Sequence, residues 1–406
     1  MILFGNLIRK FRYLLEIIES ILNQERKIRD QIDYAYLIST IEDAITYYAQ
    51  NISDSFHLQR SFMELLVKIW QIRKKQVERR KIKVRIAESF IKEAEWKKVN
   101  YPSGNMVGAS FYEKAMQVYR DLGDSPQKVE ELMTKIHEAN EAALKTEYKK
   151  VSTKVEIPRE EIDRHLDMYK GHKTIEIFQI ICLDKNLIPS YERAKQEAIE
   201  QSKQFVFQHI VPVSLMKGNI CVKHISKENE KLEYSTIRYF QMSYRMAAHM
   251  LLTEIFALLG KEHPKYVESL AQYLSSSGVI DNERIEIIKH GLRAFEDKEY
   301  VASIHIVIFQ IEGILRDLLG KLGLPTFSYR SNEMRERMLS DILKTLSQVE
   351  GMDKDFLKFI GIYLCDIRGD NYRNDIAHGL LPLGAFTKEN AQLLLLILIK
   401  LASYSA

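Results

Sequence analysis

Only eight prolines and 17 glycines interrupt the 406 residues, and the three cysteines stand far apart at positions 182, 221 and 365. So few breakers leave long Lys/Glu/Leu/Ile-rich stretches intact, a composition that reads as helix. Cys182, Cys221 and Cys365 lack metal-ligand spacing, and they suit a reducing cytosol and a buried, inert role. The longest apolar run, Leu393 to Ile399, is far short of the roughly 18 to 20 residues a membrane span needs. Arg9, Lys10 and Arg12 follow the apolar start instead of preceding it, the wrong order for a secretory signal. There is no His-Glu-x-x-His, no Gly-rich phosphate loop ahead of a helix and no Gly-x-Ser-x-Gly elbow. The expectation is a soluble cytoplasmic protein with no membrane association, no metal and no cofactor. Strong charge of one sign is missing too. With 59 Lys and Arg against 55 Asp and Glu, the net +4 does not by itself mark a nucleic-acid binder.

What is present is globular: 46% hydrophobic and 28% charged residues, in a chain long enough for about two to three domains. We expect an all-α fold divided into a helical region at 1–155, a middle helical region at 156–280 and a C-terminal helical domain at 281–406. Phe4, Leu7, Phe11, Leu14, Ile18 and Ile21 form a helical stripe that reads as a bundle or dimer helix. Lys68 to Arg85 is basic, with Arg73, Lys74, Lys75, Arg79, Arg80 and Lys81 at its centre and Glu78 its one acid. It reads either as a solvated helix face or as a surface that follows a polyanion backbone. Phe111 to Leu144 resembles a tetratricopeptide-type helical pair, broken at Gly123-Asp124 and restarted by Ser125-Pro126, although no series at a period of about 34 residues recurs. Such hairpins usually bind a protein partner or a neighbouring domain.

Around Lys217-Gly218-Asn219, β-branched and aromatic residues suggest at most a small β-hairpin near 205–225. His209 and His224 flank it without other ligands at metal spacing. Beyond Gly278, periodicity predicts a helix capped at Asp281 or Asn282 and a second from about Glu299. A third is expected over about Asn332 to Val349, and a fourth from Asp353 to about Cys365. Thr387 is expected to cap a last, central helix through the Leu393–Ile399 run.

Between the fourth and last helices lies Arg373-Asn374-Asp375-Ile376-Ala377-His378-Gly379. In a helix Asn374 and His378 share a face, and Gly379 is placed to end the turn in the left-handed region. Arginine binds planar anions bidentately, and histidine, with an unperturbed pKa of about 6.5, trades protons near neutrality.

An arginine followed after four to six residues by histidine, at the edge of a helical core, resembles the signature of HEPN (higher eukaryotes and prokaryotes nucleotide-binding) domains. More narrowly, the chain resembles a little-characterised bacterial group with a C-terminal Arg-Asn-x-x-x-His-Gly. Arg373, Asn374, His378 and Gly379 fill its four fixed places. Gln310-Ile311-Glu312-Gly313-Ile314-Leu315-Arg316 looks like the same group's second signature, and the resemblance covers roughly residues 281–406.

The resemblance implies metal-independent RNA cleavage at a composite site across a homodimer, in bacterial stress or antiviral defence. His378 would be general acid or base, Arg373 would hold the scissile phosphate, and Asn374 would orient the phosphate or His378. Glu312 would either pair with Arg316 along its own helix or orient Arg373 across the bundle. The alternative is a non-enzymatic helical interaction or nucleotide-binding protein with an inactive HEPN-like dimer module.

Overall fold

Helix accounts for most of the molecule, as the scarcity of breakers requires. The computed structural model describes residues 2–24, 31–123, 125–147, 158–204, 213–217, 220–225, 227–330 and 333–404. By contact the chain divides into two units, one of residues 1–153 and 216–223, the other of 154–215 and 224–406.

Among the described residues of the first unit six helices follow one another: α1 (Ile2–Asn23), α2 (Tyr34–Asn51), α3 (Phe56–Ile72), α4 (Gln76–Asn100), α5 (Gly104–Leu122) and α6 (Pro126–Thr146). From α2 to α6 each helix packs on the one that follows it. Large residues such as Ile41, Phe62, Leu66 and Ile69 fill one core, whereas Ala87, Ala94, Ala115 and Ala139 with Tyr112 fill a second. The small residues let α4 and α5 approach closely. A Cβ added at Gly104 would stand 2.4 Å from the Lys97 carbonyl oxygen. The expected hairpin corresponds to α5 and α6, and Gly123 ends α5 at φ +77°. Arg60 and Glu93 are buried together, 2.5 Å apart, with the guanidinium 4.0 Å from the Phe90 ring centroid.

The second unit begins with α7 (Arg159–Leu166), α8 (Thr174–Leu183) and α9 (Tyr191–Gln204); next in sequence are the hairpin strands β1 (Val213–Lys217) and β2 (Ile220–Ile225), of which residues 216–223 are grouped with the first unit. Thus the small hairpin expected near 205–225 is present. His209, Gly218 and Asn219 lie outside the described residues. There follow α10 (Glu228–Ala247), a π-helical turn at Ala248–Leu252, α11 (Thr253–Glu262), α12 (Tyr266–Ser275), α13 (Asn282–Glu296) and α14 (Tyr300–Lys321). Strands β3 (Phe327–Arg330) and β4 (Glu333–Glu336) precede α15 (Leu339–Leu346), α16 (Lys354–Leu364), α17 (Tyr372–Ala377) and α18 (Lys388–Ala402). One apolar core runs from Leu166 to Leu401, so the 156–280 and 281–406 stretches bury their faces in common. At its centre Leu393 to Ile399 of α18 are no more than 1% exposed. Asp281, Asp353 and Thr387 each accept a backbone N–H at the start of their helices.

The helix expected from Asn332 is corrected. An antiparallel ribbon pairs Phe327 with Glu336 and Tyr329 with Met334, and the helix starts only at Leu339. Met334 and Met338, four apart, imitated a helical stripe, but both are exposed. The stripe that is buried is Leu339, Ile342, Leu343 and Leu346. Among the described residues no helix is long and apolar enough to cross a membrane.

Facing the π-helical turn, Gln392 of α18 is fully buried. Its Oε1 accepts from Thr253 Oγ1 at 3.2 Å, while its Nε2 has no partner. A buried donor left unsatisfied costs about 1–3 kcal/mol. Gln392→Met is therefore expected to raise the unfolding temperature of the second unit by a few degrees, about 2–4 °C per kcal/mol for a unit of this size. Thermal denaturation followed by circular dichroism checks this.

Candidate functional site

Two elements of the second unit organise the motif: α14, largely buried, and α17, a short helix set after a tight loop. The loop closes against α16, where Gly369 lies so near the chain that a Cβ would meet the Ile362 carbonyl oxygen at 2.4 Å. Asn371 then adopts the left-handed conformation at φ +51°, which asparagine tolerates better than most residues. Its Nδ2 donates to Asp375 Oδ1 at 2.7 Å, and its Oδ1 accepts from Asn374 Nδ2 at 2.9 Å. At the other end Gly379, φ +65°, donates to the Ile376 carbonyl, and Leu380 N–H reaches the Asp375 carbonyl at 2.8 Å. These two bonds are the Schellman closure that a left-handed glycine permits. Thus α17 is stiff at both ends despite its length.

From this helix Arg373 projects back to α14. Its Nη2 lies 2.8 Å from Glu312 Oε2, its guanidinium carbon 5.6 Å from the Phe309 ring centroid, and its Nη1 donates to Asn374 Oδ1 at 3.2 Å. The other Glu312 oxygen accepts from Arg316 at 3.1 Å. Both sequence readings of Glu312 therefore hold at once: it pairs along its helix and across the bundle. One carboxylate, 12% exposed, serves two guanidiniums, and exposed Glu336 of the ribbon also approaches Arg316 Nε at 3.1 Å. The buried Nε of Arg373 has no hydrogen-bond partner among the described residues. Asn374 is turned inward, bonding to Asn371, Arg373 and, at 3.4 Å, the Cys365 carbonyl.

His378 stands apart from this network. It occupies the C-terminal cap position of α17, its main chain is fixed by N–H donation to the Asn374 carbonyl at 3.1 Å, and its residue is exposed. Among the described residues its imidazole makes no hydrogen bond. The motif thus comprises a held arginine and an open histidine on one short element. Burial, with help from the Asp366 and Glu312 carboxylates, pushes the nearby Cys365 thiol up to about 12, which makes it a poor nucleophile.

Residues outside both motifs complete the surroundings. Asp370 accepts from Gln241 Nε2 at 2.7 Å, Arg245 Nε at 3.2 Å and the Tyr244 hydroxyl. Burial, reinforced by that carboxylate, raises the Tyr244 pKa well above the usual phenol value. Arg284 of α13 donates to Gln310 at 3.0 Å and Asp317 at 3.0 Å, and its guanidinium fills the space a side chain at Gly313 would need. So Gln310 and Gly313 of the upstream signature hold Arg284, while Glu312 meets Arg373 of the motif and Arg316 bonds to Glu312. The partners of Asp370 lie more than 120 residues away in sequence.

The basic run of the first unit is not one face. It turns between α3 and α4 at Arg73–Lys75, with Lys74 at φ +56°. Lys68 pairs with Glu19, Lys81 with Glu78, and Arg85 bidentately with Glu42 at 2.6 and 2.8 Å. Arg73 lies over the Tyr34 and Trp70 rings, and Arg80 reaches toward the Leu122 carbonyl. Arg79 is half-buried with no partner at Nε. Lys74 and Lys75 are exposed at the turn, without an ion pair among the described residues. Three of the nine cations of the run, Lys68, Arg85 and Lys81, are thus paired with carboxylates of α1, α2 and α4, and Lys74 and Lys75 stand open at the turn.

No family model, curated protein or solved structure matches this chain.

Proposed function

We propose that the chain is a metal-independent endoribonuclease acting through Arg373 and His378. In the reaction the ribose 2′-oxygen attacks phosphorus, the P–O5′ bond breaks, and the products are a 2′,3′-cyclic phosphate and a 5′-hydroxyl. One proton leaves the 2′-hydroxyl and one joins the 5′-oxygen, so the net proton count is unchanged. His378 serves one of these transfers, and Arg373 binds the phosphate and its extra transition-state charge. The observation that carries this reading is the pairing of an exposed, unbonded imidazole with a preorganised guanidinium on one rigid helix. Glu312 is shared between Arg373 and Arg316, and Glu336 also meets Arg316, so a bound phosphate would engage Arg373 beside Glu312. A second histidine for the other proton would come from another copy of the chain, which makes a homodimer part of the proposal. The open turn at Lys74 and Lys75 is a place for RNA to dock.

A second reading, a non-enzymatic helical interaction module, is favoured by one observation: the 2.8 Å Arg373–Glu312 pair over Phe309 also suits an inter-element staple. The test separates the two. Purified protein incubated with single-stranded RNA in EDTA should yield fragments ending in cyclic phosphate, identified by mass spectrometry. Intact RNA leaves the interaction module, and cleavage that EDTA abolishes contradicts the metal-independent mechanism.

A further inference from the structure

Along one face of α10, Tyr234, Arg238, Met242 and Arg245 recur at helical spacing. With Tyr239 and the Asp370 loop they bound a cleft of about 510 Å³, within the roughly 300–1,000 Å³ typical of small-ligand sites. Its floor is fixed: Asp370 takes bonds from Gln241, Tyr244 and Arg245, and Arg245 Nη1 donates onward to Asn390 Oδ1 at 2.5 Å. Asp370 therefore neutralises Arg245.

Arg238 has no such partner. It is exposed, touches Gln241 Oε1 at 2.6 Å, and meets no carboxylate among the described residues. Around it Tyr234 and Tyr239 present half-buried rings, and Met242 is 53% exposed. Ring faces with a polarizable thioether suit a flat π-system, and a spare guanidinium suits a phosphate. An unstacked nucleotide presents both groups together. An acidic peptide would satisfy the cation but leave the rings idle.

The cleft also lies close to the motif. Asp370 precedes Arg373 by three residues, so their Cα atoms are at most about 11 Å apart. We infer that this cleft binds an unpaired nucleotide of a single-stranded RNA beside the bond that Arg373 and His378 cut. The inference rests on the proposed ribonuclease reading for its substrate, but binding can be measured without cleavage.

The experiment uses the full chain carrying His378→Ala and a short fluorescent single-stranded oligouridylate, followed by anisotropy. Tyr234→Ala and Arg238→Ala are each expected to weaken binding about tenfold, the scale of one stacked base or phosphate contact. Arg238→Lys should restore part of the loss, since the charge returns without the planar fork. Unfolding temperatures should stay unchanged, because Arg238 is exposed and Tyr234 half-exposed. Equal binding by parent and cleft variants overturns the inference, as does the absence of any oligouridylate binding. It is also overturned if an oligoglutamate peptide binds the parent more tightly than the RNA and loses affinity with Arg238→Ala. If wild type cuts RNA in EDTA while the cleft variants bind normally, only the cleft assignment falls. If the variants lose binding but wild type cuts nothing, the cleft stands and the ribonuclease reading falls.

Discussion

His378→Ala is expected to lower RNA cleavage about 10²–10⁴-fold, the contribution of one positioned proton-transfer group, with no measurable loss of stability. The two halves of this result have different causes. Cleavage falls because the imidazole is the open titratable side chain on α17. Stability holds because the side chain is exposed and unbonded, and such surface changes usually stay within about 0.5 kcal/mol. Arg373→Ala should remove cleavage as well, but with a stability cost. Glu312 then keeps Arg316 as its remaining partner within the bundle, and a mostly buried carboxylate loses its 2.8 Å contact with Arg373. Glu312→Gln separates positioning from structure. Its single carboxamide oxygen can accept from one of the two arginines, while its NH2 cannot accept from the other, so it should fold while altering the orientation of Arg373. Single-turnover cleavage and urea unfolding, measured side by side on the three variants, give the comparison.

The second large effect falls in the first unit. Glu93→Ala is expected to destabilise it by about 3–5 kcal/mol, because it strands a buried guanidinium. The Arg60 side chain is 9% exposed and that of Glu93 7%. Ser89 offers Arg60 one bond at 3.3 Å, and the Phe90 ring lies against it. Neither replaces a carboxylate. Converting both partners, Arg60→Met with Glu93→Leu, should recover most of the loss, since a packed apolar pair avoids desolvating two charges. The exposed Lys81–Glu78 pair makes the contrast: its side chains are 64% and 41% exposed, and Glu78→Ala should cost less than about 1 kcal/mol. Urea midpoints for the four proteins test the series.

The parts of this molecule that were readable in advance are those whose physics is local. Asp281, Asp353 and Thr387 cap helices because a short oxygen-bearing side chain meets the next free N–H groups, and three or four residues suffice to see it. The Leu393–Ile399 run had to be central because it has no polar face. Gly379 could be placed as a helix stop for the same kind of reason. The ribbon at 327–336 escaped because its charged residues fit a helix surface as well as a strand, and Asn332 imitated a cap. Glu19 and Glu42, which pair with Lys68 and Arg85 of the basic run, lie on other helices, where a one-dimensional count of charge does not find them. Asn374 sits on the predicted face, yet its carboxamide turns inward to lock Asn371. That depends on a left-handed residue that no spacing rule reveals. Asp370, Arg245 and Arg284 matter through partners distant in sequence, and a single chain read alone offers no signal for such pairs.

The central claim is most directly tested by incubating purified full-length protein with total RNA in EDTA, beside its His378→Ala variant. The account predicts fragments ending in 2′,3′-cyclic phosphate from the wild type and intact RNA from the variant, with both proteins equally folded. Equal cleavage by the two, or none by the wild type, would contradict it.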